Sequence, residues 1–229
     1  MRRAIVLIVV LAVLGVGGFG AWYLWIREET PELTLPRQEG PQQSTAAGDL
    51  AGTWQPASES VAGYRVKEKL ASLPAQSDAV GRTNAVTGTV TLAADNTNLT
   101  ATAANLEVDV TTLKSDQDRR DNAIRTRGLQ TGQFPKATFT LTTPVAVPPA
   151  ALEGGRATVQ VTGDLTLHGQ TKPVTIPTDV QLNQGRVELD GEYTFPFTDF
   201  GMDPPNVGGL VSVEPDATLE FTLVLAKAG

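Results

Sequence analysis

Few side chains in this 229-residue chain are equipped for chemistry. There is no cysteine and one histidine, His168. Thiolate zinc, iron–sulfur clusters, disulfide frameworks, cysteine nucleophiles and multi-histidine metal sites are thereby excluded. A serine hydrolase would have to use His168, and no G-x-S-x-G elbow accompanies it. Charge concentrates in Asp116, Asp118, Arg119, Arg120 and Asp121. Arg119 and Arg120 could hold an anionic head group, a pyrophosphate included, because a guanidinium offers a fork of donors. The competing reading pairs these charges locally along a helix. The aspartates lack the glycine-containing calcium-loop pattern, so no metal site is expected. Glu68 is a further head-group candidate. It shares a strand face with Tyr64 and Val66, where a carboxylate must reach solvent, pair, or bond a ligand. Gly15-Val16-Gly17-Gly18-Phe19-Gly20 matches G-x-G-x-x-G but lacks the strand–turn–helix setting that dinucleotide binding needs.

These residues need elements to position them, and the chain divides into three parts. Residues 4–26 form a charge-free run which, as a helix at ~1.5 Å per residue, spans roughly 34 Å, enough for a hydrocarbon core of ~30 Å. Arg2 and Arg3 precede it, which predicts a cytoplasmic tip at 1–3 and an extracytoplasmic remainder. Trp22, Tyr23 and Trp25 stand at the far end, where rings suit the headgroup layer. A cleaved signal peptide would have a shorter apolar core of ~7–15 residues and a small-residue cleavage site; Trp25-Ile26-Arg27 is a poor one. Residues 27–50, with Pro31, Pro36 and Pro41, read as an exposed, flexible linker. Without residues 1–26 the chain keeps 16 basic and 25 acidic residues, a net −9. That balance argues against nucleic acid as a partner.

Residues 51–229 read as β. Apolar and polar residues alternate through eight segments: Tyr64–Leu70, Val86–Leu92, Ala101–Val110, Ala137–Leu141, Ala157–Leu167, Val174–Leu182, Val187–Phe197 and Leu219–Leu225. A phase shift between Ala103 and Leu106 predicts a bulge. One apolar and one wet face imply antiparallel pairing, and eight such strands can close into a barrel with room for packed side chains or one small ligand. Asp116–Arg127 reads as a short helix, opened by Ser115 and ended by Gly128. Three function classes remain open on this footing: a carrier with an apolar interior, an envelope scaffold with a filled barrel, and an enzyme. An enzyme needs titratable groups inside, and the strand faces offer few beyond Glu68.

The order of motifs then narrows the choice. It runs Trp54, Gly63-Tyr64-Arg65-Val66, Val80-Gly81-Arg82-Thr83, Arg119-Arg120-Asp121, Phe134-Pro135-Lys136-Ala137-Thr138-Phe139, Gly163-Asp164-Leu165-Thr166-Leu167-His168-Gly169 and Asp199-Phe200-Gly201. Over about residues 51–227 this resembles the YceI-like family. The resemblance implies an antiparallel barrel with a lipocalin-like interior, which agrees with the all-β, eight-stranded barrel with one short helix read from the alternation; the single transmembrane helix expected at 4–26 departs from the many family members that are secreted and soluble. It also implies binding of a long polyisoprenoid chain, such as a polyprenyl lipid or an isoprenoid quinone, in bacteria; with the few titratable groups on the strand faces, no enzymatic activity and no cofactor are expected. Tyr64, Val66, Phe139, Leu165, Leu167, Tyr193, Phe195 and Phe197 are then the expected apolar lining, while Glu68, Arg119 and Arg120 stay candidates for a head group against the favoured readings of a solvent-exposed rim and local pairing. The stretch Gly128–Gln133 departs from the family in lacking the paired phenylalanines often found there.

Overall fold

Alternating faces become a closed wall. A computed structural model describes residues 30–35, 46–70, 76–95, 98–207 and 211–228. The expected membrane helix at 4–26 and the tip at 1–3 lie outside the described residues. The strands are β1 (Gly52–Pro56), β2 (Val61–Leu70), β3 (Gln76–Thr83), β4 (Val86–Asp95), β5 (Asn98–Asp109), β6 (Lys136–Leu141), β7 (Val145–Val147), β8 (Arg156–Leu167), β9 (Gln170–Asn183), β10 (Arg186–Pro196), β11 (Asn206–Val207) and β12 (Val211–Lys227). Hydrogen-bonded neighbours run β1-β4-β5-β6-β8-β9-β10-β12, and β12 returns to β1. The circuit therefore closes with eight antiparallel strands, and no sheet edge is left at its ends.

One strand line is broken in sequence but continuous in space. β12 pairs with β2 through Thr222↔Val61 and then with β1 through Leu225↔Pro56. The break between them is stitched by Ser60, fully buried, whose hydroxyl donates to the Val224 carbonyl (3.2 Å) and accepts from the Val224 amide (3.0 Å). A hydroxyl thus stands in for a ladder bond that the interruption removes. Beyond this point β2 and β3 run on as a hairpin, Ala62↔Thr83 to Lys69↔Gln76.

Local chemistry explains the joints. His168-Gly169 and Gln184-Gly185 have φ of 51°, 71°, 50° and 77°, the paired left-handed geometry that turns a tight hairpin between β8, β9 and β10. The bulge in β5 falls earlier than the sequence pattern placed it. Thr91 pairs with Ala103 but Leu92 with Ala101, so Thr102 is the extra residue. The helix expected over 116–127 is shorter, Asp118–Ala123, and runs into a wider turn at Ile124–Gly128. Ser115 does not cap it in the usual sense. Instead the buried Asp121 carboxylate reaches back and accepts from the Ser115 amide (2.9 Å) and hydroxyl (2.6 Å).

The stretch read as an exposed linker contributes packed pieces, and this corrects the sequence reading. Leu35 is only 4 % exposed, and its carbonyl accepts from Arg156 (2.6 Å). Ala47–Leu50 forms one helical turn whose Ala47 and Leu50 are buried. The Leu50 carbonyl accepts from the indole of Trp54 (2.9 Å), itself 1 % exposed. Apolar residues among the polar ones, Leu33, Leu35 and Leu50, were the overlooked signal. Glu32–Gly229 is one compact unit.

Candidate ligand-binding site

Inward-facing residues form two apolar clusters, and they differ in kind. The first is aliphatic apart from Trp54, built on Leu50, Val86, Val90, Leu92, Val180, Leu182, Leu223 and Leu225. The second holds the rings, with Phe195, Phe197 and Phe200 packed among Leu165, Leu167, Val174, Ile176 and Met202. Phe195 meets Phe200 edge-on at 4.9 Å between centroids, and Tyr193 stacks beside Phe195 at 5.8 Å. Large rings fill their part of the barrel; branched aliphatics of modest size do not.

A cavity of about 180 Å³ results, centred on the aliphatic cluster. Packed interiors rarely hold voids larger than a water molecule, so this is not ordinary core slack. Among the described residues its wall carries no charge, and the polar residues on it are Thr138, Thr178 and Gln181. Space lined this way gives water too few partners and favours hydrocarbon. Among the described residues no group of His, Asp and Glu is arranged to hold a metal ion.

Two rings do reach the cavity, and glycines keep them flat against the wall. A Cβ on Gly163 would fall 2.4 Å from the Phe139 ring, and one on Gly191 would fall 2.8 Å from the ring of Phe221. Each ring lies over the neighbouring strand's glycine, the cross-strand device by which an aromatic covers bare backbone. The lumen is left free as a result.

Of the eight residues expected to line the interior, Phe139 and Leu165 border the cavity. Leu167, Phe195 and Phe197 belong to the ring-filled cluster, and Tyr64, Val66 and Tyr193 pack against it. All eight stand on apolar faces of the alternation, which marks direction and not free space. Val86, Val90, Leu106, Val180 and Leu182 stand in the same alternation, are absent from that set, and line the cavity.

The head-group candidates separate. Glu68 is buried and forms an ion pair with Arg120 at 2.6 Å. Arg120 also pairs with Asp116, four residues back. Burial opposes its charge, but the bond to Glu68 and the two carboxylates outweigh it and hold the guanidinium above its ordinary range. Arg119 is exposed. Glu68 is therefore not a solvent-facing rim residue, and with Arg120 it clips β2 to the helix. The Tyr64 hydroxyl is buried beside this pair without a hydrogen-bond partner, and burial pushes its pKa up. The other motif arginines work on the outer wall. Glu220, 3 % exposed, accepts from Arg65 (3.2 Å) and Arg82 (2.8 Å), and Arg65 also binds Asp78 (2.9 Å). His168 faces the Phe200 carbonyl with Nδ1 (3.1 Å) and packs edge-on against Phe134. It holds a hairpin turn, far from any nucleophile-and-base arrangement.

A closed eight-stranded wall with its motif residues in these places can be compared with known proteins. The family model described as the YceI-like domain matches residues 55–225. The chain belongs to the YceI-like family. A UPF0312 protein of Vibrio parahaemolyticus is 37 % identical over 97 residues, 42 % of this chain and 47 % of that one. Another, from Pseudomonas savastanoi pv. phaseolicola, is 31 % identical over 135 residues, 56 % of this chain and 65 % of that one. The chain thus spans about half the length of the Vibrio relative it matches. Among solved structures, a polyisoprenoid binding domain from Saccharophagus degradans, implicated in plant cell wall breakdown, superposes with a TM-score of 0.58 at 18 % identity, over 78 % of this chain and 99 % of that one. Burkholderia cenocepacia BcnA gives 0.52 at 18 % identity, over 71 % and 95 %. At such identities the likeness is one of fold, and the YceI-like lipocalin-type barrel is that fold.

Proposed function

We propose that this YceI-like barrel binds the hydrocarbon chain of an isoprenoid lipid, a polyprenyl lipid or an isoprenoid quinone, and holds it outside the cytoplasmic membrane. The observation that carries the reading is the uncharged, largely aliphatic cavity. A polar or ionic ligand would leave its groups unpaired there, at a cost of several kcal/mol, whereas each buried methylene gains ~0.8 kcal/mol. The polyisoprenoid binding of the Saccharophagus domain, which shares the fold, supports the same ligand class. Binding of this kind needs neither cofactor nor catalytic group, so the protein acts as a carrier or store and not as an enzyme. The charge-free run at 4–26 behind Arg2 and Arg3 supports a single-pass anchor with the barrel on the outer side.

The test is native mass spectrometry of the full-length chain, purified from its host in detergent, followed by solvent extraction of any released lipid. A stoichiometric polyprenyl or quinone mass is the expected result. A bare protein mass, persisting after incubation with the polyprenol solanesol, would remove the carrier reading and favour the scaffold. Anchoring is checked by alkaline extraction of host membranes, where the chain should stay in the pellet.

A further inference from the structure

The barrel wall has an interruption on one side. β6 pairs with β8 only from Thr138↔Thr166 to Leu141↔Gly163. Two amides, those of Thr142 and Thr143, then reach the Thr162 carbonyl at 3.1 and 3.4 Å. Past that point no ladder bonds join the two sides, although β7 and β8 remain near neighbours. β7 pairs with β5 through Leu99↔Val147 to Ala101↔Val145, and residues 156–162 of β8 pair with β9. No ladder joins β7 to β8, both of which are fully described. Pro144 and Pro148 bracket β7, and neither has an amide hydrogen with which to extend a ladder. The two prolines thus bound the unladdered stretch at β7.

This unladdered stretch borders the cavity. Val145 and Val147 on one side and Val159 and Val161 on the other all belong to the cavity wall, and all four are half-buried. The surroundings are unusual for a chain with 19 % charged residues. Residues 98–106, 137–152 and 157–163, which are neighbours on this side of the barrel, contain no Asp, Glu, Lys or Arg. An acidic protein is repelled by anionic headgroups, and an uncharged wall is the part of it that approaches a lipid surface at least cost. Two helical turns also meet the cavity: Leu50 of Ala47–Leu50, and Ala151 and Leu152 of Pro149–Leu152, are buried and line it.

We propose that the β7–β8 gap is the lateral portal through which a lipid's apolar chain passes between a bilayer and the cavity. This rests on the isoprenoid reading above and adds the route. The absence of cysteine gives a clean test. The doubly substituted chain, Val147→Cys with Val159→Cys, is bridged by a reducible bis-maleimide. Loading from solanesol-containing detergent micelles is then followed by native mass spectrometry of the full-length protein. Bridging should slow uptake about tenfold or more, a barrier higher by ~1.4 kcal/mol, and reduction should restore the rate. A second measurement does not depend on the bridge. In the single variant Val159→Cys, bound solanesol should protect the thiol from maleimide, while Ser58→Cys on the exposed β1–β2 connection should label at an unchanged rate. Loading at the wild-type rate through the bridged gap, with the thiol unprotected, would overturn the portal and leave the lipid reading intact. Failure of the unsubstituted protein to take up solanesol would overturn both.

Discussion

The Glu68–Arg120 pair shows how a charge is tolerated at an apolar margin. A buried carboxylate survives only when paired, and breaking such a pair by removing one partner costs about 3–5 kcal/mol because the other is left stranded. Arg120 keeps Asp116 as a second partner, so Arg120 has a fallback and Glu68 has less. Glu68→Ala should therefore cost about 3 kcal/mol in denaturant unfolding, and Arg120→Ala at least as much. The double variant should fall well short of their sum, as expected of side chains in direct contact. Tyr64→Phe, which deletes a buried hydroxyl that lacks a partner, should leave stability unchanged or raise it. Asp190 makes a different prediction. Burial raises its pKa, offset in part by the Leu35 amide and by Arg156. A raised folded-state pKa means that ionisation is disfavoured in the fold, so this group's contribution is largest at low pH and is lost as pH rises through that pKa. Asp190→Asn keeps the group neutral at every pH and should raise the melting temperature at neutral pH. The gain should vanish as pH falls below about 3, where aspartate is protonated in both states.

At the scale of elements, the cavity depends on paired strands in which a ring lies over a glycine. Phe139 on β6 lies across Gly163 on β8, so the size of residue 163 decides where the ring goes. Gly163→Ala should push Phe139 into the lumen or spread the two strands. Lipid stoichiometry in native mass spectra should fall, with a melting temperature lower by a few degrees, as a cost of ~1–3 kcal/mol for overpacking would give. The aromatic motif residues read differently at this scale than as single letters. Phe195, Phe197 and Phe200 belong to a packed cluster and not to the cavity lining, which is largely aliphatic.

For the whole molecule, function lies in what the barrel leaves unfilled. Eight strands close around a lumen that side chains can just occupy, and small differences in residue size decide between core and chamber. Val108→Phe, on the cavity wall, should fill part of that space. The fold should remain, with melting temperature held or raised, while bound lipid in native mass spectra drops. A parallel loss of stability and of ligand would instead mark the chamber as ordinary core.

The sequence by itself determined the strand class and the number of strand lines, because a period-2 pattern with one wet face has few other solutions. It also determined the exclusion of thiol and multi-histidine chemistry, since a missing residue type is absent in any fold. Glu68 was legible as a buried-face carboxylate, and Arg120 as a charge needing a partner. Their meeting across 52 residues was not, because no local rule couples a strand to a helix that far along the chain. Likewise the alternation at Val90 and at Phe195 is the same. Only the packed barrel decided that one lines a space and the other fills it. Periodicity reports which way a side chain points, whereas a cavity depends on the summed volumes of residues from every strand at once.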